Sequence, residues 1–544
     1  MRSTPRRPSS GPARRPSPSA LLVAVLLLVV GLAATPAARA GPAESAATPI
    51  GPASPAAMPV GDDDAAQRTA AYFESVRDEP LLLSAFLRAM PKGGDLHNHP
   101  SGAEWAERYI AYAAADGLCV VQATMALRPP PCDADAGQQL AADALGRQGF
   151  YDALVDAWSM RAFVPRQGHS GHDQFFGTFD LFGEAWDQRT GDVLADVIAQ
   201  AAAENVTYLE LMFGLDRGAA SALGARVGWD DDLGRLRERL LAEGMGDVVA
   251  ASRQALDAAE ARVRERLRCG TPDADRGCGV TVRYLQTGTR VLPPERVFAQ
   301  FVAGFELARV DPRVVGINLV APEDAYVARR DYRLQMGMLD YLASRQPEVP
   351  IALHAGELAP GLVPPEDLRF HIRAAVEQGH ARRIGHGVDL MYEDDPYGLL
   401  SELAGRNVAV EILLVSNAQI LDVEGARHPF PVYRAAGVPV VLATDDEGVS
   451  RSDMTAQYQI AATTYGLTYP DLKQLARASL ERAFLPGASL WDRLADAVPA
   501  APCAAQPLGG LVQSGECQAF LQANERASLQ WRLEGDFAAF ESRY

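Results

Sequence analysis

Residues 90–103, MPKGGDLHNHPSGA, place two histidines, His97 and His99, at the end of a short strand-like run and before a turn rich in proline and glycine. Side chains two positions apart on a strand point to the same face, so both imidazoles can reach one cation. Taken alone, such a pair more often represents two polar residues at a loop. The choice between a metal site and a loop therefore depends on what else the chain brings to this strand end.

Seven further runs rich in apolar or β-branched residues follow, and amphipathic stretches separate most of them. The eight predicted strands are the run around Leu96 and residues 206–213, 280 or 281 onward, 314–320, 351–357, 382–387, 408–415 and 438–446. Strands that alternate with helices are typical of βα units on a parallel sheet. Eight such units predict an α/β fold, a (β/α)8 barrel of the TIM type.

The chain has 544 residues, and this fold usually needs about 250, so additional segments are expected. We predict a barrel over residues 91–487 with an insertion after its first strand, at residues 104–190. A helical segment, residues 65–90, precedes the barrel. A C-terminal tail, residues 488–544, is expected to fold as a small appendage.

Residues 1–40 have the pattern of an export signal. Five arginines precede the apolar run of residues 20–34, and the small residues Ala38 and Ala40 follow it. Such a run falls short of the roughly 20 residues that span a bilayer, although a membrane anchor is the alternative. We predict a cleaved signal peptide, a flexible leader at residues 41–64, and a periplasmic or secreted protein without a membrane attachment after cleavage.

Charge and cysteine content narrow the class of protein. Removing residues 1–40 takes away six arginines and leaves 45 basic against 69 acidic side chains, so a nucleic-acid polymer is not expected as a partner.

The six cysteines form three local pairs, Cys119 with Cys132, Cys269 with Cys278, and Cys503 with Cys517. In an oxidising compartment three short-range disulfides are expected, and six free thiols are the alternative.

The polar residues at the predicted strand ends favour the metal interpretation. His97 and His99 end the first strand, His354 and Glu357 the fifth, His386 the sixth, and Asp445 with Asp446 the eighth. Chemistry in this fold occurs at the carboxyl ends of the strands. His97, His99, His354 and Asp445 would form three nitrogen ligands and one oxygen ligand, the pattern of a catalytic zinc with a position left for water. Glu357 could then deliver a proton, His386 could orient the water, and Asp446 would face the substrate.

Four motifs in order, MPKGGDLHNHPSGA, LHAGE, RIGHG and LATDDEG, closely resemble those of the adenosine deaminase family of metal-dependent amidohydrolases. The resemblance implies one Zn²⁺ per chain on the four ligands named above. It also implies Glu357 as the proton donor to N1 of a purine, His386 as the residue orienting the hydroxide, and Asp446 as a purine partner. The implied reaction is attack of a zinc-bound hydroxide on C6 of adenosine, and of deoxyadenosine, which gives an inosine product and ammonia.

The resemblance also implies a pocket for the nucleoside. The segment HDQFFGTFDLF, residues 172–182, is similar to the family's apolar pocket segment, so Phe175, Phe176 and Phe179 either shield the purine or belong to a helix core. Two positions depart from the family pattern. Pro100-Ser101 stands where many members have an aspartate, so Ser101 is the expected contact there, and Ala321 stands where a glycine usually contacts the purine.

Several other functions are alternatives to a deaminase of adenosine. A deaminase of adenine or of a modified purine nucleoside would use the same site. A binuclear amidohydrolase needs a lysine in the fourth strand, and VVGINLV has none, while the motifs of cytidine-type deaminases are missing from the sequence. The signal and the cysteine-bearing insertion resemble the secreted adenosine deaminase-related growth factors, so a non-catalytic adenosine-binding or growth-factor-like protein is a further alternative.

Overall fold

A computed structural model describes residues 62–544, and eight parallel strands form its central barrel. The strands are β1 Gly93–Asn98, β2 Val206–Phe213, β3 Thr281–Thr289, β4 Val314–Val320, β5 Ala352–Ala355, β6 Arg383–His386, β7 Ala409–Ile412 and β8 Val440–Leu442. The predicted signal peptide and nearly all of the predicted leader lie outside the described residues.

The strands close into a ring in chain order. Strands β1 to β4 pair as one parallel group and β5 to β8 as a second. Ile317 bridges to Ile351 between β4 and β5, and Asn98 bridges to Asp445 between β1 and the end of β8. Both bridges are parallel, so the (β/α)8 barrel predicted from the alternating pattern is confirmed.

Several strands are shorter than predicted. Strand β5 ends at Ala355 rather than Glu357, and β8 ends at Leu442 rather than Asp446. Strand β7 ends at Ile412, and the apolar residues after it begin a helix instead. Glu357, Asp445 and Asp446, which follow the ladders of β5 and β8, are buried at the carboxyl ends of the strands.

Helices surround the barrel, and their apolar faces pack against the outer faces of the strands. Those that follow β2 to β8 are Ala219–Val227, Leu233–Leu240, Gly246–Arg266, Pro294–Val310, Tyr326–Arg345, His371–Glu377, Pro396–Gly405, Leu414–Leu421, Phe430–Ala435, Glu447–Ser450, Met454–Thr463 and Tyr469–Arg482. Helix Pro294–Val310 begins with a proline, whose missing N–H is not needed in a first turn, and buries Phe298, Phe301 and Phe305. Within residues 62–544, no helix is both long and apolar enough to cross a membrane.

The segment between β1 and β2 carries its own secondary structure. It contains the helices Pro100–Ala103, Ala106–Ala115, Gln148–Ala157, Gly171–Gly177 and Phe179–Ala203, and an antiparallel sheet of Cys119–Val121, Ala126–Arg128 and Gln138–Leu140. Helix Phe179–Ala203 is interrupted by non-helical backbone at Arg189. The insertion boundary predicted at residue 190 therefore falls at a kink inside one helix, which joins the insertion to the barrel.

The two ends of the described chain pack together at the base of the barrel. Helices Asp62–Val76 and Pro80–Ala89 come first, so helical structure begins three residues before the predicted position 65. The tail has strands Trp491–Arg493 and Val498–Pro499 and helices Gly515–Ala523 and Glu525–Glu541. Leu490, Trp491, Cys503, Cys517, Ala527 and Trp531 form a small core of their own. Phe537 and Phe540 of the last helix belong to the main core, whereas Ala527 and Trp531 of the same helix belong to the small core. This helix therefore joins the predicted appendage to the base of the barrel.

The structure forms the three expected disulfides, Cys119–Cys132, Cys269–Cys278 and Cys503–Cys517. The last pair is fully buried in the small core of the tail and closes a loop with a sequence separation of 14. Its cross-link restricts the unfolded chain.

Replacing both Cys503 and Cys517 by serine is expected to lower the free energy of unfolding by about 3 kcal/mol, since a loop of this length loses its closure constraint. Urea unfolding followed by tryptophan fluorescence measures the change, because Trp491 and Trp531 lie in the same core. Reducing agent should destabilise the wild-type chain more than the double variant. Equal stability of the two oxidised proteins would contradict the expectation.

Candidate active site

Four side chains converge at the carboxyl ends of β1, β5 and β8. The Nε2 atoms of His97, His99 and His354 lie 2.9 to 3.3 Å from one another. Asp445 Oδ1 lies 3.5 Å from the Nε2 atoms of both His97 and His99. These were the four predicted metal ligands, and one ligand atom from each lies within 4.8 Å of all the others.

This donor set fits a tetrahedrally coordinated metal ion. Ligand nitrogens at the usual zinc distance of 2.0–2.1 Å stand about 3.3 Å apart in a tetrahedron. Burial, and then the nearby His97, lower the pKa of His99 to about 4, and burial lowers the pKa of His354 well below its usual value. Burial lowers the pKa of His97, but its hydrogen bond to Glu411 and the charges of Glu411 and Asp445 outweigh burial and raise it. A cation bound at this point would take the lone pairs of all three imidazoles in place of a proton, and Asp445 supplies a negative charge beside them.

The backbone at three strand ends adopts the left-handed conformation, although none of the residues is a glycine. Ala321 after β4 has φ of 85°, His386 at the end of β6 has 69°, and Asp445 after β8 has 65°. Each such residue costs on the order of 1–3 kcal/mol, and strain of this kind clusters at functional sites. Here it turns the His386 and Asp445 side chains from the ladder into the barrel mouth.

A buried chain of charges fixes the orientation of His97. Its Nδ1 donates to Glu411 Oε2 at 2.6 Å, which leaves Nε2 to face the other ligands. Arg383 Nε donates to the second oxygen of Glu411 at 2.5 Å, and an Nη of Arg383 donates to Glu210 at 2.5 Å. All four groups are buried in the barrel interior, so the ring cannot rotate without breaking its hydrogen bond to a buried carboxylate.

Replacing Glu411 by glutamine is expected to weaken metal affinity by about 10- to 100-fold, because a neutral amide supports the His97 ring less well than a carboxylate. Competition with a fluorescent chelator measures the change. Replacing the half-buried Glu402, which pairs with Arg406 on the outer helix Pro396–Gly405, provides the control and should leave the affinity unchanged. Unchanged affinity in the Glu411 variant would show that the ring is held by packing alone.

Two further predicted catalytic side chains lie beside the ligand cluster. Burial, followed by the charges of Asp445 and Glu323, raises the pKa of Glu357 well above its usual value, so this carboxyl can carry a proton at neutral pH. Burial lowers the pKa of His386 to about 4, so this imidazole is neutral. Its Nδ1 donates to Asn417 Oδ1 at 2.8 Å, and its Nε2 lies 3.8 Å from Glu357 Oε1. The site therefore contains an acid and a base side by side.

A cavity of about 610 Å³ opens onto these groups. Its volume lies within the usual range for a small-molecule site. All the residues predicted to bind substrate line it, namely Ser101, Phe175, Phe176, Phe179, Ala321 and Asp446. Phe175 is also fully buried against its neighbours, so it serves the core as well as the wall. Asp446 is buried, and its Oδ1 lies against Gly102. Any side chain at residue 102 would therefore displace the Asp446 carboxyl group.

Sequence reasoning missed several lining residues and the contacts that support them. Asp180, Trp186, Met212, Phe213, Thr287 and Thr289 also face the cavity. His172, to which no role was assigned, contacts Asp324 at 2.9 Å and so links helix Gly171–Gly177 to the loop after β4. The HDQFF segment contained this histidine, but only the folded chain shows its partner.

The fold and the site together define a (β/α)8 barrel whose mouth holds a cluster of three histidines and one aspartate that could bind a metal ion, beside a glutamate and a histidine. Residues 235–500 match the family model described as adenosine deaminase. That region contains His354, Glu357, His386 and Asp445, while the structure adds His97 and His99 from outside it. Over these residues the chain is similar to the adenosine deaminase family.

Curated relatives and solved structures show more distant similarity. The chain is 32% identical to an adenine deaminase of Chelativorans sp. (strain BNC1) over 220 residues, which are 40% of this chain and 61% of the relative. It is 27% identical to an adenine deaminase of Rhizobium rhizogenes, covering 41% of this chain and 64% of that one. The chain thus spans less than two thirds of these relatives.

Two solved structures are among those that resemble this chain. The N6-methyl-AMP deaminase of Arabidopsis thaliana has 20% identity and a TM-score of 0.47, covering 74% of this chain and 94% of its own. An adenine deaminase of Arthrobacter aurescens has 17% identity and a TM-score of 0.45, covering 73% of this chain and 94% of its own.

Proposed function

We propose that this protein is a metal-dependent hydrolytic deaminase that converts adenosine, and deoxyadenosine, to the inosine product and ammonia. The observation that carries the proposal is the convergence of the ligand cluster, Glu357 and His386 on one cavity. An amino group on an aromatic ring leaves only after the ring is protonated and water has added at the same carbon. The site supplies a proton donor and a place to activate water within one enclosed volume.

The roles of the side chains follow from their positions. His97, His99, His354 and Asp445 would hold Zn²⁺, which suits a site of three imidazoles and one carboxylate. When bound, the metal supplies the Lewis acidity that makes water a nucleophile at neutral pH. His386, neutral and with Nε2 facing the site, accepts a proton from the attacking water. Glu357 donates a proton to N1 of the purine, which makes C6 electrophilic. The amino group then takes the proton held by His386 and leaves as ammonia as its bond to C6 breaks, while the C6 hydroxyl returns a proton to Glu357 and becomes the carbonyl of the product.

The cavity lining favours a nucleoside over a nucleotide. Asp180, Glu357, Asp445 and Asp446 face it, and its lining has no lysine or arginine among the described residues. Apart from the proposed metal, a 5′-phosphate would therefore find no cationic side chain in this lining, and it would have to lie near the carboxyl group of Asp180. Thr287, Thr289 and Ser101 offer hydroxyl groups that a ribose could bind, while the phenylalanines offer apolar surface to the purine.

Adenine is the second candidate substrate, because the curated relatives named above are called adenine deaminases. A free base would leave the hydroxyl-bearing part of the cavity unfilled. We also propose that the protein is exported, on the basis of the sequence pattern in residues 1–40 and the disulfides of the folded chain.

A substrate panel tests these proposals. Purified protein loaded with zinc is assayed for ammonia release from adenosine, deoxyadenosine, adenine, AMP and N6-methyl-AMP. We expect the highest kcat/KM for adenosine, at least about tenfold above AMP, since an unpaired phosphate near carboxylates costs more than about 1.4 kcal/mol. A preference for adenine would overturn the substrate and preserve the chemistry. Failure to release ammonia from any of the five would overturn the function.

A further inference from the structure

Glu323, in the loop after β4, lies directly beneath the backbone that carries Glu357. Its side chain is fully buried. One carboxylate oxygen accepts the N–H of Glu357 at 2.8 Å, and the other accepts the N–H of Gly356 at 3.2 Å. No role was assigned to Glu323 from the sequence, where it appears only as part of the run LVAPED.

The side chains of His371 and Arg290 hold this carboxylate in place. His371 Nδ1 donates to Glu323 at 2.6 Å, and an Nη of Arg290 lies 3.6 Å away. Burial raises the pKa of Glu323, but the hydrogen bond from His371 and the charge of Arg290 outweigh it and keep the pKa below its usual value. The carboxylate is therefore ionised although it is buried.

His371 is itself fixed on two sides. The ring of Tyr332 stacks on the imidazole, with centroids 3.8 Å apart, and the Tyr332 hydroxyl donates to the His371 carbonyl at 2.8 Å. Tyr332 and His371 are both fully buried. The carboxylate of Glu323 thus rests on a rigid pair of rings rather than on a mobile surface group.

The loop that Glu323 supports has an unusual backbone. Gly356 follows β5 with φ of 74°, and the space where a side chain would begin is occupied by Asp389. Residues 356–359 have no regular secondary structure, so no neighbouring strand accepts the N–H groups of Gly356 and Glu357. Without Glu323 these buried donors would lose their acceptor.

We propose that Glu323, anchored by His371, is a positioning residue that fixes the Gly356–Glu357 backbone and so aims the Glu357 carboxyl at the substrate. This inference rests on the proposed function for its catalytic consequence. Its structural half, that Glu323 holds two amide groups of this loop, is independent of which substrate the site uses.

Replacing Glu323 by glutamine tests the inference, because an amide offers only one acceptor atom to the two N–H groups. We expect kcat for adenosine to fall about 100-fold, as for a reacting group displaced by about 1 Å, with KM and bound zinc little changed. His371→Asn keeps a donor near the position of Nδ1 and should retain most of the activity. His371→Leu removes the donor and should resemble Glu323→Gln.

Hydrogen–deuterium exchange provides a readout that does not require turnover. Peptides covering residues 352–360 should exchange at least about tenfold faster in Glu323→Gln, while peptides covering β1 stay unchanged. Glu541→Gln is the matched control, because Glu541 is also a buried carboxylate, accepts hydrogen bonds from Tyr469 and Lys473, and lies far from the site at the base of the barrel. It should alter neither exchange at 352–360 nor kcat.

The outcomes distinguish a failure of the proposed deaminase function from a failure of the positioning role of Glu323. If the wild-type protein deaminates no purine, the proposed function fails, and exchange at residues 352–360 alone decides whether Glu323 fixes the loop. Unchanged exchange in Glu323→Gln would overturn the inference, and so would faster exchange in an active enzyme with an unchanged kcat. Should Glu323→Gln not fold, the comparison of His371→Asn with His371→Leu gives the same decision.

Discussion

Replacing Glu357 by glutamine is expected to lower kcat for adenosine by roughly 10²- to 10⁴-fold, the range that a general acid contributes. Glutamine has nearly the same shape but no proton to donate to the purine N1. The wild-type carboxyl is suited to this task because burial and the charges of Asp445 and Glu323 raise its pKa well above the usual value. Steady-state kinetics, with zinc content measured on the same sample, gives the result.

The zinc content should remain at that of the wild-type protein, since Glu357 is not among the four converging ligands. Glu366→Gln provides the control, because this exposed glutamate lies in the same segment after β5 and should leave the kinetics unchanged. A Glu357→Gln protein with wild-type kcat would refute the assignment of Glu357 as the proton donor. Loss of zinc from that variant would assign it to the metal site instead.

Replacing Asp445 by asparagine is expected to reduce bound zinc from about one ion per chain to less than about 0.1, because a neutral oxygen replaces the one charged ligand. Deaminase activity should fall in proportion. Elemental analysis after dialysis, followed by the assay with and without added Zn²⁺, measures both quantities.

The adjacent residue supplies the matched comparison. Asp446 is equally buried, but its carboxylate is not among the four converging ligands. Asp446→Asn should therefore retain zinc and lose kcat/KM, by about 10-fold for one weakened hydrogen bond to the purine. If both variants retained zinc, the ligand set would be wrong. If both lost it, Asp446 would share in metal binding.

The barrel was predictable from the sequence because its strands are buried, so each appears in the sequence as an apolar run between two helical segments. The sequence also predicted that His97, His99, His354 and Asp445 lie together, since a parallel barrel places the carboxyl ends of all its strands at one mouth. The exact strand ends were less predictable. Glu357 and Asp446 follow residues with left-handed backbone, which end the ladders earlier than the apolar pattern does.

The supporting residues could not be predicted because their partners are distant in sequence. Glu411 sits inside the apolar run VAVEILLV and is separated from His97 by 314 residues. Arg383 and Glu323 likewise look like ordinary charged residues until the barrel closes around them. His371 occurs on a helix, where one histidine in an otherwise mixed sequence carries no signal, and its role depends on Glu323, 48 positions earlier.

The last helix, Glu525–Glu541, has a consequence for the order in which the molecule is completed. Its Phe540 packs edge-on against Phe86, which also contacts Tyr469 of the final barrel helix. Arg68 in the first helix donates to the carbonyl of Tyr544, the last residue. A nascent chain that has reached only residue 487 thus holds every predicted catalytic group but still exposes these aromatic rings. In such a chain the base of the barrel would stay uncovered until helix Glu525–Glu541 packs against the first two helices.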